Sequence, residues 1–233
     1  MEKKIDFVVV GDIQTNCWLY LLEGAPETPD GRRPCVVIDP GGEAEIIVSR
    51  LRELNWSPSY IFLTHGHFDH QAGLPDLLTA CEKGACGKIP LPKVGIHGQD
   101  AHYLGKAALT AHKKSLSAAG GSPAYLDALW KSMPEADILF EEGASAGPFK
   151  ILHIPGHTAG SVGLYDEKAG ILFSGDTLFD GDYGRTDLPG GSEEQIHQSL
   201  KRLFSMKAET IVCPGHGGAT TMREAASALS NVI

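Results

Sequence analysis

Short apolar runs separated by glycine-, proline- and aspartate-rich turns set the pattern of the chain. In the first third they fall at residues 5–10, 17–22, 35–38 and 60–63, each the length of a strand and too short for a helix. Between them, residues 43–54 carry apolar positions at 46, 47, 48, 51 and 54, the spacing of an amphipathic helix. A further helix is expected from Pro75, since proline suits the first turn. The middle differs in texture. After a strand at 93–97, residues 99–130 are rich in Ala, Leu, Lys and His and are broken at Gly120-Gly121-Ser122-Pro123. This predicts two helices with a turn between them, a helical insertion at about 99–132 lying over one face. The last third returns to strands at 137–140, 149–154, 162–165, 171–173 and 210–213. Helices follow at 192–204, with acids in its first turn and bases near its end, and at 220–229. The expected architecture is α/β: two sheets enclosed by helices, in one domain spanning 1–233.

Composition narrows the function classes more than it names one. A charge of -9 over 233 residues disfavours binders of nucleic acid or anionic membrane, which show basic patches. No uninterrupted apolar run approaches the roughly 20 residues that span a bilayer. The run at 5–10 is shorter than a signal-peptide core and has no small-residue cleavage site. Five cysteines, an odd number scattered at 17, 35, 81, 86 and 213, suit reduced thiols. A cytoplasmic protein is expected, without a nucleic-acid or membrane partner. Cys81 and Cys86, close together in a glycine-rich connection, read as inert thiols. His97, His102 and His112 read as packed or solvent-facing.

Chemistry concentrates after the strand at 60–63. His65-Gly66-His67-Phe68-Asp69-His70 presents three imidazoles and a carboxylate within six residues. In extended chain, residues two apart point the same way, so His65 and His67 converge on one point. Asp69 and His70 fall where the chain turns, facing a second point nearby. Three later strands end in the same form, an apolar run, a glycine, then a ligand-type residue: Pro155-Gly156-His157, Ser174-Gly175-Asp176 and Pro214-Gly215-His216. His65, His67 and His157 would hold one metal, and Asp69, His70 and His216 a second, with Asp176 bridging. Two divalent ions are expected, zinc first, with iron or manganese accepted by the same nitrogen and oxygen donors. Paired cations turn a shared water into hydroxide near neutral pH, so no serine or cysteine nucleophile is needed. Asp69 and Asp176 are then the catalytic carboxylates, Asp69 by orienting or accepting that water's proton.

In identity and order these residues resemble the ligand motifs of the metallo-β-lactamase superfamily, and the resemblance runs over nearly the whole chain. It implies an αβ/βα sandwich, two mixed β-sheets flanked by helices, with the metals in a cleft at one edge. It also implies that Asp39, in Val37-Ile38-Asp39-Pro40-Gly41, supports the ligand loops from behind, unless it is a simple turn aspartate. The runs 174–179 and 184–191 look like the glyoxalase II-like branch, in its short single-domain bacterial form. That branch hydrolyses S-lactoylglutathione and related thioesters. Arg185 would then hold a substrate carboxylate, or else pin its own loop through Asp187, and Asn16 would face the cleft beside it. The substrate's thiol stays open at this point. Persulfide dioxygenases resemble the chain too, at the histidine loop and at 184–187, and there a single iron would rest on His65, His157 and Asp176. A lactonase or β-lactamase activity is compatible with the same donors.

Overall fold

A computed structural model describes residues 4–87 and 90–230. The first half of the chain builds one sheet and the second half another. The first runs in chain order: β1 (Ile5–Val10), β2 (Thr15–Leu21), β3 (Arg33–Ile38), β4 (Trp56–Phe62), β5 (Lys93–His97) and β6 (Ile138–Phe140). β1, β2 and β3 are antiparallel, whereas β3 through β6 are parallel and need crossovers. The helices α1 (Ala44–Glu53) and α2 (Leu74–Glu82) supply two of them. The second sheet comprises β7 (Ser145–Ala146), β8 (Phe149–His153), β9 (Val162–Asp166), β10 (Ile171–Gly175), β11 (Ile211–Pro214) and β12 (Thr220–Thr221), again with chain neighbours adjacent. Its one parallel pair, β10 and β11, is joined through α5 (Glu193–Leu203). The last helix is α6 (Met222–Ala228), closed at its start by a Thr221–Glu224 capping box.

Side chains alternate across each strand, and the alternation sorts the interior into three layers. On β2 and β3, Cys17, Leu19, Leu21, Cys35 and Val37 pack outward against α1 and α2. Trp18, Tyr20, Val36 and Ile38 point the other way and meet Phe149, Ile151, Leu164 and Phe173 of the second sheet. Beyond that sheet, Leu172 and Val212 pack on Ile196, Leu200 and Met222 of α5 and α6. The sheets are buried on both faces, which is why their strands read as continuous apolar runs. The order helix, sheet, sheet, helix is the sandwich expected from the resemblance.

Three local expectations are corrected. β4 starts at Trp56, four residues before the expected run, because Pro58 and its flanking serines disguise it. Pro58 pairs with Cys35 and Tyr60 with Val36, so a register shift falls where a residue without an N–H breaks the ladder. The short edge strands β7 and β12 carry no apolar signal. Residues 98–107 form two short 3-10 turns, so the helices of the insertion are α3 (Ala108–Ala118) and α4 (Pro123–Leu129). Gly120, at φ 83°, ends the first of these helices, and the Ser122 hydroxyl caps the second by accepting from Ala124 N.

Candidate metal centre

Six strand ends meet at one edge of the two sheets, and each leads into a functional loop. β4 leads to His65, β8 to His157, β10 to Asp176 and β11 to His216, while β3 ends at Asp39 and β5 leads to Asp100. Buried Asp39 ties the histidine loop to the first sheet. Its Oδ1 accepts from Thr64 N at 2.8 Å and its Oδ2 from Thr64 Oγ1 at 2.6 Å. The same Oδ2 lies 3.0 Å from His70 Nδ1, fixing which ring nitrogen His70 turns to the site. Asp39 is held at φ 53°, a left-handed conformation that a non-glycine residue adopts only when its contacts repay the strain.

The donor atoms converge in three overlapping groups: His65, His67 and His157; His65, His70 and Asp176; and Asp69, His70 and His216. All seven side chains singled out in the sequence are therefore brought together. His67 Nδ1 and His157 Nε2 face each other at 2.8 Å. His70 Nε2 is 3.3 Å from both Asp69 Oδ2 and Asp176 Oδ1, and His216 Nε2 lies 3.3 Å from Asp69 Oδ2 and 3.5 Å from Asp176 Oδ2. Asp176 thus spans both groups, with one oxygen toward His70 and the other toward His216 and His157. Behind the donors, His157 Nδ1 is anchored at 2.8 Å on the Arg185 carbonyl and His216 Nδ1 at 3.3 Å on that of Gln14.

Buried His65 Nε2 and His67 Nε2 have no hydrogen-bond partner, and Asp176 Oδ1 makes no hydrogen bond either. Each unpartnered imidazole nitrogen costs about 1–3 kcal/mol, and two of them beside a carboxylate oxygen whose neighbour is the His70 ring fit a cation site. Gly215 fits the same purpose: a Cβ there would run into Asp176 Oδ1 and His70 Cε1. The backbone has been let in so close that only hydrogen fits.

Burial and the mutual field of these groups divide the site. Burial, reinforced by neighbouring imidazoles, holds His65 well below its usual value and His67 down to about 3, so both are neutral with a lone pair to offer. Burial also opposes charge on His70 and His216, but Asp176 and Asp69 outweigh it. His70 is lifted well above the usual range and His216 to about 9. Burial would raise Asp69 and Asp176 in turn, yet His70 and His216 keep both carboxylates ionised.

The expected substrate contacts fare differently. Asn16 is corrected: it is buried, and its amide donates to the carbonyls of Pro214 at 3.1 Å and Gly217 at 2.9 Å. It braces the His216 loop instead of facing the cleft. Arg185 lies on the cleft wall, with its guanidinium forked onto Asp187 at 2.6 and 2.7 Å. Asp100 went unnoticed in the sequence. Its buried carboxylate accepts from Gly66 N at 2.8 Å, Thr158 Oγ1 at 2.7 Å and Gly160 N at 2.8 Å, and so ties the His65–His67 loop to the His157 loop. A signal was available in its place shortly after the β5 strand, three residues beyond His97, much as Asp39 directly follows β3. Above the donors opens a cleft of about 1120 Å³, one wall formed by α3 and α4. These helices are held in part by Tyr125 Oη donating to Asp12 at 2.5 Å, and by His112 and Trp130 packed beside Phe68 of the ligand loop.

A four-layered sandwich with clustered imidazoles and carboxylates at one sheet edge defines a metallo-hydrolase, and residues 10–216 match the metallo-beta-lactamase superfamily. The chain belongs to that superfamily. It is similar to hydroxyacylglutathione hydrolase GloC of Haemophilus influenzae, at 32% identity over 94% of this chain and 92% of the relative. Among solved structures, the di-iron-bound form of TTHA1623 shares 35% identity over 95% of this chain and 96% of the other, with a TM-score of 0.71. The B3 metallo-beta-lactamase BLEG-1 shares 30% over 96% of both chains, with a TM-score of 0.75. No helix among the described residues is long and apolar enough to cross a membrane.

Proposed function

We propose that the chain is a binuclear metallo-hydrolase of small thioesters, glyoxalase II-like, with His65, His67 and His157 holding one divalent ion, Asp69, His70 and His216 the other, and Asp176 shared between them. The observation that carries this reading is the convergence of both donor groups, with buried unpartnered His65 and His67 nitrogens among them. Such ions, when bound, supply a nucleophilic hydroxide at neutral pH and polarise a carbonyl. The chain's own residues do the rest. Asp69, ionised and partly open to the cleft, accepts a proton at its carboxylate. Asp39 and Asp100 hold the imidazoles in fixed directions, and α3 with α4 shield the donors from bulk water. Arg185, on the cleft wall, would reach an acyl or thiol carboxylate only by releasing Asp187. Zinc and iron both suit these donors, and the di-iron state of TTHA1623 favours testing both. The five cysteines are buried free thiols, in keeping with a reducing cytoplasm.

The test is metal content per chain of protein purified without added metal, assayed beside hydrolysis of S-lactoylglutathione and simpler acyl thioesters. Two ions with thioester turnover are expected, and Asp176→Ala should lower both. One iron with oxygen uptake on glutathione persulfide and no hydrolysis would replace the reading with that of a dioxygenase. Unchanged metal content and rate in Asp176→Ala would remove the site as drawn.

A further inference from the structure

We propose that the thioester taken by this site carries an apolar, uncharged group, aryl or medium-chain alkyl, in the part of the cleft between α4 and the turn at residues 11–13. The proposal rests on the thioester-hydrolase reading and names the substrate class within it.

The first argument is what the cleft exposes. Ile13, Tyr125 and Leu129 are 60%, 44% and 49% exposed, and all three line its mouth. Leu116 and Trp130 continue the apolar wall inward toward Phe68, beside the metal donors. Large apolar side chains left facing water on both sides of one opening mark a binding surface more than a random surface does. The cleft's volume of about 1120 Å³ also leaves ample space beyond a lactoyl group.

The second argument is charge. Apart from the metal donors, the charged residues lining the cleft are Asp12, Glu43, Asp76, Lys131 and Arg185. Both cations are already engaged: Lys131 Nζ with Asp76 Oδ2 at 2.5 Å and Arg185 with Asp187 through two bonds. Asp12 and Glu43 take their bonds from neutral donors, Tyr125 Oη and Gly11 N. Glutathione brings two carboxylates against one ammonium, a net negative charge, to a wall where acids outnumber bases and each base is spoken for. An uncharged apolar group meets no such opposition and covers the exposed side chains.

The experiment compares kcat/KM of the metal-loaded enzyme for S-lactoylglutathione, the lactoyl thioester of benzyl mercaptan, and the phenylacetyl thioester of 2-mercaptoethanol. At least one apolar substrate should exceed S-lactoylglutathione by about tenfold, mostly through KM, as burying half-exposed apolar side chains implies. Leu129→Asp, or the milder Ile13→Ser, should remove most of that gain. If S-lactoylglutathione outperforms both, the proposal is overturned and the hydrolase stands. If no thioester is turned over, binding decides separately, read by Trp130 fluorescence with Trp130→Phe as control. Tighter binding of benzyl 2-hydroxyethyl sulfide than of S-benzylglutathione keeps the apolar site while the thioester reading falls. Equal or weaker binding ends both.

Discussion

Replacing Asp100 by Asn keeps the shape of the side chain and changes what it can accept. The carboxylate takes three hydrogen bonds, two from the Thr158–Gly160 segment and one from Gly66 between two metal donors. A carboxamide has one acceptor oxygen, and its NH2 must face at least one of those donors. The loss is one or two charge-assisted bonds and a buried N–H or O–H left unpaired, together about 3 kcal/mol. For a chain of this size that lowers the melting temperature by about 6–12 °C. The more telling effect is on metal. Supports one step removed from the donors change metal affinity by about 10- to 100-fold, so the variant should release metal to a chromophoric chelator at correspondingly lower competitor concentration. Asp166→Asn is the control. Asp166 is as buried and accepts from Lys4 and Ala169 N, in a part of the second sheet that carries no donor loop. It should lose stability while holding metal as the parent does. A D100N protein that melts lower but binds metal with parental affinity would show that Asp100 only stabilises, and the link between the two loops would carry no functional meaning.

Two further outcomes follow from single positions. Gly215→Ala should lower metal content toward one ion per chain, measured by elemental analysis, because its Cβ would displace Asp176 Oδ1 and the His70 ring while leaving His65, His67 and His157 in place; retention of two ions with full turnover would refute the close approach. His112 is buried and held neutral, its imidazole pushed down to about 4 from the usual 6.5. Between those values the unfolded chain binds a proton that the folded one refuses, so stability rises with pH across that window; lowering pH from 7 to 5 should cost about 2 kcal/mol in urea midpoints through this residue alone, and His112→Asn should flatten that part of the profile.

Much of the candidate metal site was legible because its signals are local. Four donors crowd into the six residues after β4, and each of the other three follows an apolar strand and a glycine, a sequence of types that survives without knowledge of the fold. The strands at 17–22, 35–38 and 171–173 were legible for a related reason, since burial on both faces demands unbroken apolar runs. What failed was whatever depends on a partner far along the chain. Asn16 is a polar residue at a strand start, and only the arrival of the loop at residues 214–217, about 200 positions later, decides that its amide is consumed there. Asp100 is similarly silent until Gly66 and Gly160 close on it. β4 was cut short because Ser57-Pro58-Ser59 looks like a turn, and the bulge opposite Cys35 and Val36 that makes room for it is a property of the pair, not of either strand.

The division between what was and was not legible follows a division in the molecule itself. The donors hang from the ends of strands whose side chains fill the layer between two sheets, so their positions are fixed by the best-packed part of the fold. Asp39 can be kept at φ 53° there because its carboxylate holds Thr64 and His70 at once, and a misplaced loop would forfeit all three contacts. The cleft wall has a different origin. α3 and α4 rest mainly on loops and short turns: Ser115 and His112 on Tyr103, Tyr125 on Asp12, and His112 with Trp130 against Phe68, with Lys131 just beyond α4 on Asp76. None of these side-chain contacts is made to a strand of either sheet. The donor edge is therefore set by the sheets, while the face that a substrate would meet is set by α3, α4 and the loops they rest on, so substrate choice is written in those segments and not in the strands.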